Sequence, residues 1–327
     1  MGIKMSMIHP DLRVAAQAIK IMLPKYTKES LKSPAPISSR LLGKASSKLS
    51  YEQVYIKRKD GTSLRLCVYG PRKASRGVPG LLWLHGGGYA LGVPEQDEPF
   101  IRKFIEASKC IAVAPDYTLS GTKPFPAAFD DGYEALLWLS RNGEKYGMNS
   151  EQIFVGGDSA GGGLAAAICL CARDRGEVSV AFQMPLYPML DDRPTASNTG
   201  NEAPVWDSDA NSLAWQQYLA EAYETGNVSA YAAPARAHSY ENLPPAATFV
   251  GSLDPFHDET IAYVENLRAN GIEVRFKVFE GCFHAFDIFG KFTKVGKEAN
   301  AFIMDAFNYA VSNYFAKQPG AASNKLE

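Results

Sequence analysis

The sequence predicts an α/β fold in which a mostly parallel sheet is covered by helices on both faces. After Pro79, short apolar runs bounded by Gly or Pro alternate with longer segments of helical periodicity, which is the pattern of repeated βαβ units. Before them, two stretches of alternating apolar residues flank Asp60-Gly61, a pair typical of tight hairpin turns. We expect this antiparallel hairpin to form one edge of the sheet.

The predicted elements follow one another in a regular order. Residues 1–45 have the character of helix and loop, because apolar residues recur near helical spacing and prolines interrupt any longer element: Leu12, Ala15, Ala16, Ile19 and Leu23, with Pro24, Pro34 and Pro36. After the hairpin, strands are predicted at 81–84, 111–114, 153–155, 180–186, 246–250 and 274–278. Helices are predicted around 98–108, 127–141, 160–174, 258–270 and 297–315.

One stretch breaks the alternation of strand and helix. Residues 191–231 contain Trp206, Trp215, Tyr218 and Tyr223 but no strand pattern, and an insertion of this length between strands is usually a lid or cap. We therefore divide the chain into four parts. They are an N-terminal cap segment (1–45), an α/β body (46–190 and 232–317), a cap insertion (191–231) and a disordered tail (318–327).

Composition excludes several classes of function. The chain has 327 residues, 46% apolar and 21% charged, with a formal net charge of −1, so it carries no general field to attract nucleic acid. Its one compact basic cluster, Lys57-Arg58-Lys59, sits beside a turn, and we expect it to be a solvated hairpin end. Apolar runs such as Leu164–Ala172 fall far short of the ~20 residues that a membrane span requires.

Five cysteines are scattered along the chain. An odd number without regular spacing favours free thiols over a disulfide framework, which predicts a cytoplasmic protein.

The sharpest chemical signal is the segment Gly157-Asp158-Ser159-Ala160-Gly161. It directly follows a predicted strand and opens a predicted helix. A serine on such a tight turn presents its hydroxyl at the top of the sheet, where the helix N-terminus supplies free N–H groups. The segment therefore predicts a nucleophilic serine, Ser159.

A second glycine-rich segment, His85-Gly86-Gly87-Gly88, follows the strand at 81–84. Consecutive glycines let backbone N–H groups approach a ligand closely, as an oxyanion hole requires. We expect His85 and Gly86 to organise this loop, and we regard His85 as a poor candidate for the catalytic base.

A nucleophilic serine needs a base, usually a neutral histidine. His257 and His284 both lie just past a strand, where the carboxyl ends of parallel strands gather on the same edge as Ser159. Asp254 follows a strand in the same way, whereas Asp258 and Glu259 fall in the first turn of a helix, where acids often serve only the helix dipole. Asp254 and His284 give the chain order Ser, Asp, His that is characteristic of this turn.

These motifs resemble the hormone-sensitive-lipase-like family of α/β-hydrolase carboxylesterases, and they span residues 80–290 in the family's order. Further matching segments are Pro115-Asp116-Tyr117, Tyr231–Arg236, Asp254–Glu259 and Gly281–His284. The resemblance implies an α/β-hydrolase fold with Ser159 as nucleophile, His284 as base and Asp254 as the acid. It also implies that the N–H groups of Gly87, Gly88 and Ala160 form the oxyanion hole, and that segments 1–45 and 191–231 cover the acyl pocket. Two departures from the family pattern are His257, where Arg is frequent, and Ala285, where Gly is usual.

The expected function is hydrolysis of short- to medium-chain acyl esters through an acyl-enzyme. No cofactor and no metal are expected, and the partner is a small-molecule ester. Amidase, lactonase or acyltransferase chemistry with the same triad stays open as an alternative, and a non-catalytic binding protein is a further one. A homodimer is also predicted, paired through the strand near 274–278 at the sheet edge.

Overall fold

A computed structural model describes residues 2–23, 25–32 and 40–320. At its centre is a sheet of eight strands in the order β1-β2-β4-β3-β5-β6-β7-β8. The strands are β1 (Leu49–Lys57), β2 (Ser63–Pro71), β3 (Val78–Leu84), β4 (Ile111–Pro115), β5 (Met148–Asp158), β6 (Phe182–Leu186), β7 (Ala246–Gly251) and β8 (Val274–Phe279).

The pairing of the strands confirms the predicted fold class. β1 and β2 form an antiparallel hairpin at one edge, and β2 is also antiparallel to β4. Every other neighbouring pair is parallel. All six strands predicted after the hairpin are present, and β5 begins at Met148, five residues before the predicted start.

Helices connect the strands and cover the sheet. They are α1 (Arg13–Met22), α2 (Lys28–Lys32), α3 (Glu98–Ser108), α4 (Ala127–Asn142), α5 (Ala160–Arg175), α6 (Ser208–Leu219), α7 (Glu221–Thr225), α8 (His257–Ala269), α9 (Phe286–Phe289) and α10 (Lys294–Asn313). Short 3₁₀ turns lie at Pro10–Leu12, Pro94–Asp97, Gly143–Tyr146 and Pro234–Arg236. None of the helices in the described ranges is long and apolar enough to cross a membrane.

Two hydrophobic clusters fill the two faces of the sheet. The central helix, α5, is built largely of Gly and Ala and is buried from Ala160 to Ala172. Small side chains let its backbone approach the sheet closely, so the residue that precedes it is held by packing on several sides. Cys169 and Cys171 lie within this buried helix, as core residues.

The N-terminal segment packs on the insertion between β6 and β7. The side-chain amide of Gln217 in α6 donates to the carbonyl of Leu31 in α2 at 3.0 Å, and the rings of Tyr26 and Trp206 lie 5.1 Å apart. Pro24, Pro34 and Pro36, which were predicted to interrupt longer elements, lie outside the described residues. Residues 321–327, which form most of the predicted tail, lie outside them too. The side chain of Gln318, where that tail was predicted to begin, exchanges two hydrogen bonds with the backbone of Ser179.

Candidate active site

Ser159 occupies a sharp turn between β5 and α5. Its φ of 55° and ψ of −121° lie in a region that L-residues rarely adopt, a strain found mostly at functional sites. The turn is held from both sides, because the Ser159 N–H donates to the carbonyl of Leu186 at 2.9 Å. Its own carbonyl accepts from the N–H of Met189 at 3.0 Å.

The two glycines that flank this turn are required by contact. A Cβ on Gly157 would lie 2.5 Å from the carbonyl oxygens of Gly161 and Leu84. A Cβ on Gly161 would lie even closer to the same Leu84 oxygen. The GxSxG pattern is therefore a packing requirement, since only Gly lets α5 start this near to β3.

The structure brings Ser159, His284 and Asp254 together in one hydrogen-bonded chain. His284 Nε2 lies 2.9 Å from Ser159 Oγ, and His284 Nδ1 lies 2.9 Å from Asp254 Oδ2. Asp254 Oδ1 accepts from the N–H of Phe256 at 2.9 Å, which fixes the carboxylate. All three side chains are buried. A carboxylate at Nδ1 favours the tautomer with its proton there, which leaves Nε2 free to accept from the serine hydroxyl.

Aromatic rings hold the imidazole of His284 in place. Tyr187 and Phe256 each meet it edge to face, with ring centroids 5.2 and 5.0 Å away. Trp206 lies on another side at 6.4 Å. These contacts restrict rotation of the ring, so its orientation is set by packing as well as by the carboxylate.

The glycine loop after β3 lies beside Ser159. Gly87 and Gly88 have φ values of 128° and 59°, and this backbone differs from that of an ordinary strand end. Within the part of the chain that the structure describes, the N–H groups of Gly87, Gly88 and Ala160 have no hydrogen-bond acceptor. The N–H of Gly86, by contrast, donates to Asp158 Oδ1 at 2.9 Å and so anchors the loop.

His85 is packed between Tyr117 and the glycine loop. Its ring stacks on Tyr117 at 4.1 Å, and the Tyr117 hydroxyl donates to the His85 carbonyl at 2.8 Å. Burial lowers the pKa of His85 to about 4, so the imidazole is neutral at physiological pH. Its Nδ1 lies 2.9 Å from the Gly86 carbonyl, which ties the ring to the glycine loop.

The side chain of His257, the other candidate for the catalytic base, makes its hydrogen bond outside the Ser159–His284–Asp254 chain. His257 is the first residue of α8, and its Nδ1 contacts Asp258 at 2.9 Å. Asp258 and Glu259 lie in the first turn of α8, as the sequence predicts, and they also accept hydrogen bonds from outside that helix. Asp258 accepts from the N–H of Ser197 at 2.8 Å, and the buried Glu259 accepts from the N–H of Leu190 at 2.6 Å. Both carboxylates therefore tie the beginning of the insertion to the body.

Sequence reasoning missed a group of buried carboxyls beside the site. Burial raises the pKa of Asp158, Asp97 and Asp287, that of Asp287 to about 7. Asp97 accepts from the Trp83 indole N–H at 2.9 Å, whereas neither oxygen of Asp287 has a hydrogen-bond partner among the described residues. Asp158 directly precedes Ser159 in the segment Gly157–Gly161, and this position was the one local sequence signal for the carboxyl cluster. Nothing in the sequence near 97 or 287 points to such a cluster.

Trp206 covers the site from the insertion. Its ring fills the position that a Cβ on Gly88 would need, and only 4% of the residue is exposed. A cavity of about 350 Å³ lies between the N-terminal segment and the insertion, lined on one side by Ile19, Leu23 and Tyr26 and on the other by residues 202–205. Tyr26 on its wall lies 5.1 Å from the ring of Trp206, and Ser159 is only 5% exposed.

Several known proteins are similar to this chain in sequence and fold. A family model described as alpha/beta hydrolase fold matches residues 81–288. Esterase LipI of Mycobacterium tuberculosis is 36% identical over 199 residues, which are 60% of this chain and 62% of LipI. Ethyl acetate hydrolase of Pseudomonas putida is 26% identical over 316 residues, 91% of this chain and 98% of that protein.

Among solved structures, Bacterial Heroin Esterase superimposes with a TM-score of 0.83 at 33% identity, covering 94% of this chain and 99% of its own. The family model covers more than half of the chain, and its range includes both glycine motifs and the Ser159–His284–Asp254 chain. The protein belongs to the hormone-sensitive-lipase-like family of α/β-hydrolase carboxylesterases.

Proposed function

We propose that the protein hydrolyses carboxylic esters with Ser159 as nucleophile, His284 as general base and Asp254 as the acid that orients it. The observation that supports this proposal is the continuous chain of two 2.9 Å contacts from Ser159 through His284 to Asp254. Ser159 lies at the strained turn between β5 and α5, and such a strand-to-helix turn presents a nucleophile at the top of the sheet. Membership of the carboxylesterase family gives the same reaction class.

In the proposed reaction, Ser159 Oγ attacks the ester carbonyl while its proton passes to His284 Nε2. The Asp254 carboxylate, held by the Phe256 N–H, stabilises the imidazolium that forms. His284 then donates the proton to the departing alkoxide, which leaves an acyl-serine. Water deprotonated by the same imidazole hydrolyses this intermediate and restores the free serine.

We assign the oxyanion hole to the N–H groups of Gly87, Gly88 and Ala160. Three backbone donors without an acceptor in the described structure, next to a nucleophilic serine, suit the charge that develops on the carbonyl oxygen. The hydrogen bond from Gly86 to Asp158 positions these donors, because it fixes the loop one residue before them. Asp158 is therefore proposed as a positioning residue.

The substrate is proposed to be an ester with a short to medium acyl chain. The ring of Trp206 packs against Gly88, and Tyr187 and Phe256 meet the imidazole of His284 edge to face, so the side chains around the site are apolar and closely packed. Segments 1–45 and 191–231 would form the cap that provides this enclosure. A relative of nearly the same length is named for ethyl acetate, an ester with a two-carbon acyl group.

The test is a panel of p-nitrophenyl esters from acetate to palmitate, assayed with and without an organophosphate that labels active serines. We expect hydrolysis that favours short chains, loss of turnover by at least about a thousandfold in Ser159→Ala, and labelling of Ser159. His257→Asn is the matched control and should keep turnover, since His257 contacts Asp258 and is outside the proposed triad. Labelling without ester turnover would favour amidase, lactonase or acyltransferase chemistry instead. Wild-type turnover in Ser159→Ala would contradict the triad.

A cytoplasmic location is part of the proposal. All five cysteines are buried and unpaired, and burial raises the pKa of each thiol, which suits a reducing compartment. Cell fractionation with an antibody against the protein would test the location.

A homodimer through β8 is also proposed. β8 is the outer strand of the sheet and leaves one backbone edge without a neighbouring strand in the described structure, and such edges can pair with a second copy. Light scattering that reports only monomer at working concentration would contradict the pairing.

A further inference from the structure

Helix α1 has a second apolar stripe that faces away from the protein. Its inner side is buried through Ala16 and Ile19. On the other side, Val14, Ala18 and Ile21 follow one another at a spacing of four and three residues, and therefore share one face. Val14 is 79% exposed, Ile21 86% and the adjacent Met22 76%, which is unusual for residues of this size on a surface helix.

The loop after α9 extends this apolar surface. The side chain of Leu12 packs against Gly290, and Asp11 Oδ2 accepts from the N–H of Val295 at 3.2 Å, so the loop and the start of α1 are neighbours. Phe292 is 82% exposed and Phe289 43%. Of eleven large apolar side chains exposed in the described residues, seven lie in residues 7–23 or 289–292. We call Val14, Ala18, Ile21, Met22, Phe289 and Phe292 the α1 face.

Positive charges surround the α1 face. The segment 2–25 contributes Lys4, Arg13, Lys20 and Lys25, and the segment 289–297 contributes Lys291, Lys294 and Lys297. The one carboxylate within these two segments is Asp11. Of the seven cations, Lys25 alone has an ion-pair partner in the described structure, Asp209 at 4.0 Å. The two segments carry a formal charge of +6 within a chain whose formal net charge is −1, and the nearby carboxylate of Glu298 interacts with Lys294.

We propose that the α1 face docks on an anionic lipid surface. Exposed apolar side chains on a helix that is ringed by Lys and Arg are the features of segments that lie in a membrane interface, with the apolar face in the acyl boundary and the cations at anionic headgroups. A second copy of the chain fits this surface poorly. A twofold contact between two α1 faces would bring the cations of one copy against those of the other.

Docking in this orientation would place the cavity between the cap segments next to the lipid. Ile19 and Leu23 at the end of α1 line that cavity together with Tyr26. Tyr26 lies 5.1 Å from Trp206, whose ring is 6.4 Å from that of His284. Glu202 and Asp207 lie on the far side of the cavity, so the basic side of its rim is the side formed by α1. The lipid binding itself is independent of the proposed ester hydrolysis, which supplies only the reason why such a position would be useful.

The experiment measures co-sedimentation of the full chain with phosphatidylcholine vesicles, with and without about one third phosphatidylglycerol. Ser159→Ala is the background, so that no lipid is hydrolysed and binding is measured without turnover. We expect binding to the anionic vesicles that is lost at ~1 M salt, where the Debye length falls to about 3 Å. Ile21→Ser combined with Phe292→Ser should weaken binding by at least about tenfold, because two side chains that would enter the interface are removed. Lys291→Gln combined with Lys294→Gln should weaken it only on anionic vesicles.

The matched control is Tyr55→Ser combined with Phe315→Ser, since these exposed apolar residues (62% and 53%) lie outside the α1 face. This variant should bind like the parent. No binding to anionic vesicles, or equal binding by all variants, would overturn the proposal. Light scattering is run on the same samples, and self-association that disappears in the Ile21→Ser, Phe292→Ser variant would assign the surface to a second copy instead.

Discussion

Replacing Trp206 by Ala should change which acyl chains the enzyme accepts. The indole of Trp206 occupies the space directly over Gly88 and lies 6.4 Å from the imidazole of His284. Its removal opens an apolar space between the imidazole of His284 and Tyr26, which lines a cavity with Ile19 and Leu23. The acyl chain is the part of the substrate that would fill it.

The size of the effect follows from the burial of methylene groups. Each buried methylene contributes about 0.8 kcal/mol, or roughly a fourfold gain in kcat/KM, as long as it finds apolar space. If the space left by the indole accepts about three methylenes, the preference for octanoate over acetate should rise by roughly sixtyfold in Trp206→Ala. The same change should destabilise the fold by about 3–5 kcal/mol, because it truncates a buried Trp.

Trp215→Ala is the matched control for this experiment. Trp215 is equally buried, but its ring packs on Tyr89 and Tyr218. It should cost similar stability, measured by denaturant unfolding, and leave the chain-length profile unchanged. The profile is the ratio of kcat/KM along the p-nitrophenyl ester series. An unchanged profile in Trp206→Ala, or an equal shift in Trp215→Ala, would refute the assignment of Trp206 to the acyl pocket.

Three further predictions concern the frame of the site. Because burial raises the pKa of Asp158, the neutral variant Asp158→Asn should keep kcat within about tenfold of the parent. Asp158→Ala leaves the Gly86 N–H without its acceptor and should lower kcat by about 10–100-fold. An equal loss of kcat in both variants would show that the charge of Asp158 is required. Burial raises the pKa of Asp287 from 3.8 to about 7. Between pH 3.8 and about pH 7, Asp287 therefore keeps its proton in the folded chain but loses it in the unfolded chain. The free energy of unfolding falls as pH rises through this range. Asp287→Asn should therefore raise stability at pH ~8, by up to about 4 kcal/mol, and have little effect at pH ~4; thermal melts with the reverse pH dependence would contradict this sign. Ala285 has a φ of 55°, so Ala285→Gly should stabilise the fold by up to about 1 kcal/mol; denaturant unfolding that shows a loss would mean that packing of the methyl group outweighs the strain.

Much of the site could be predicted from sequence because its signals are local. The turn around Ser159 and the loop at 85–88 each show strand, glycines and reactive residue within a few positions. His284 could be preferred because, with Asp254, it gives the chain order Ser, Asp, His, and in the structure its Nε2 lies 2.9 Å from Ser159 Oγ.

Other parts of the site could not be predicted because they depend on contacts between distant segments. Trp206 comes from an insertion without periodic pattern, and only the folded chain shows that it lies on Gly88 rather than in the cap interior. Asp97 and Asp158 are far apart in sequence, as are Asp158 and Asp287, and acidic residues are normally expected at the surface. Their burial beside one active site is a property of how β5, α3 and α9 pack, which no local pattern of residues encodes.

The buried carboxyls have a consequence for the electrostatic field at the reacting carbonyl. Burial raises the pKa of Asp158, raises that of Asp97 to about 6 and raises that of Asp287 to about 7. Less negative charge therefore lies beneath the glycine loop than three ordinary carboxylates would place there. A single ionised carboxyl about 10 Å away would oppose the growing oxyanion by about 1.7 kcal/mol at an effective dielectric constant of 20, more than a tenfold change in rate. The raised pKa values let Asp158 and Asp97 accept hydrogen bonds from Gly86 and Trp83 while less negative charge opposes the oxyanion. A rise in pH that ionises these carboxyls should then slow the chemical step even though the serine, the histidine and their contacts stay in place.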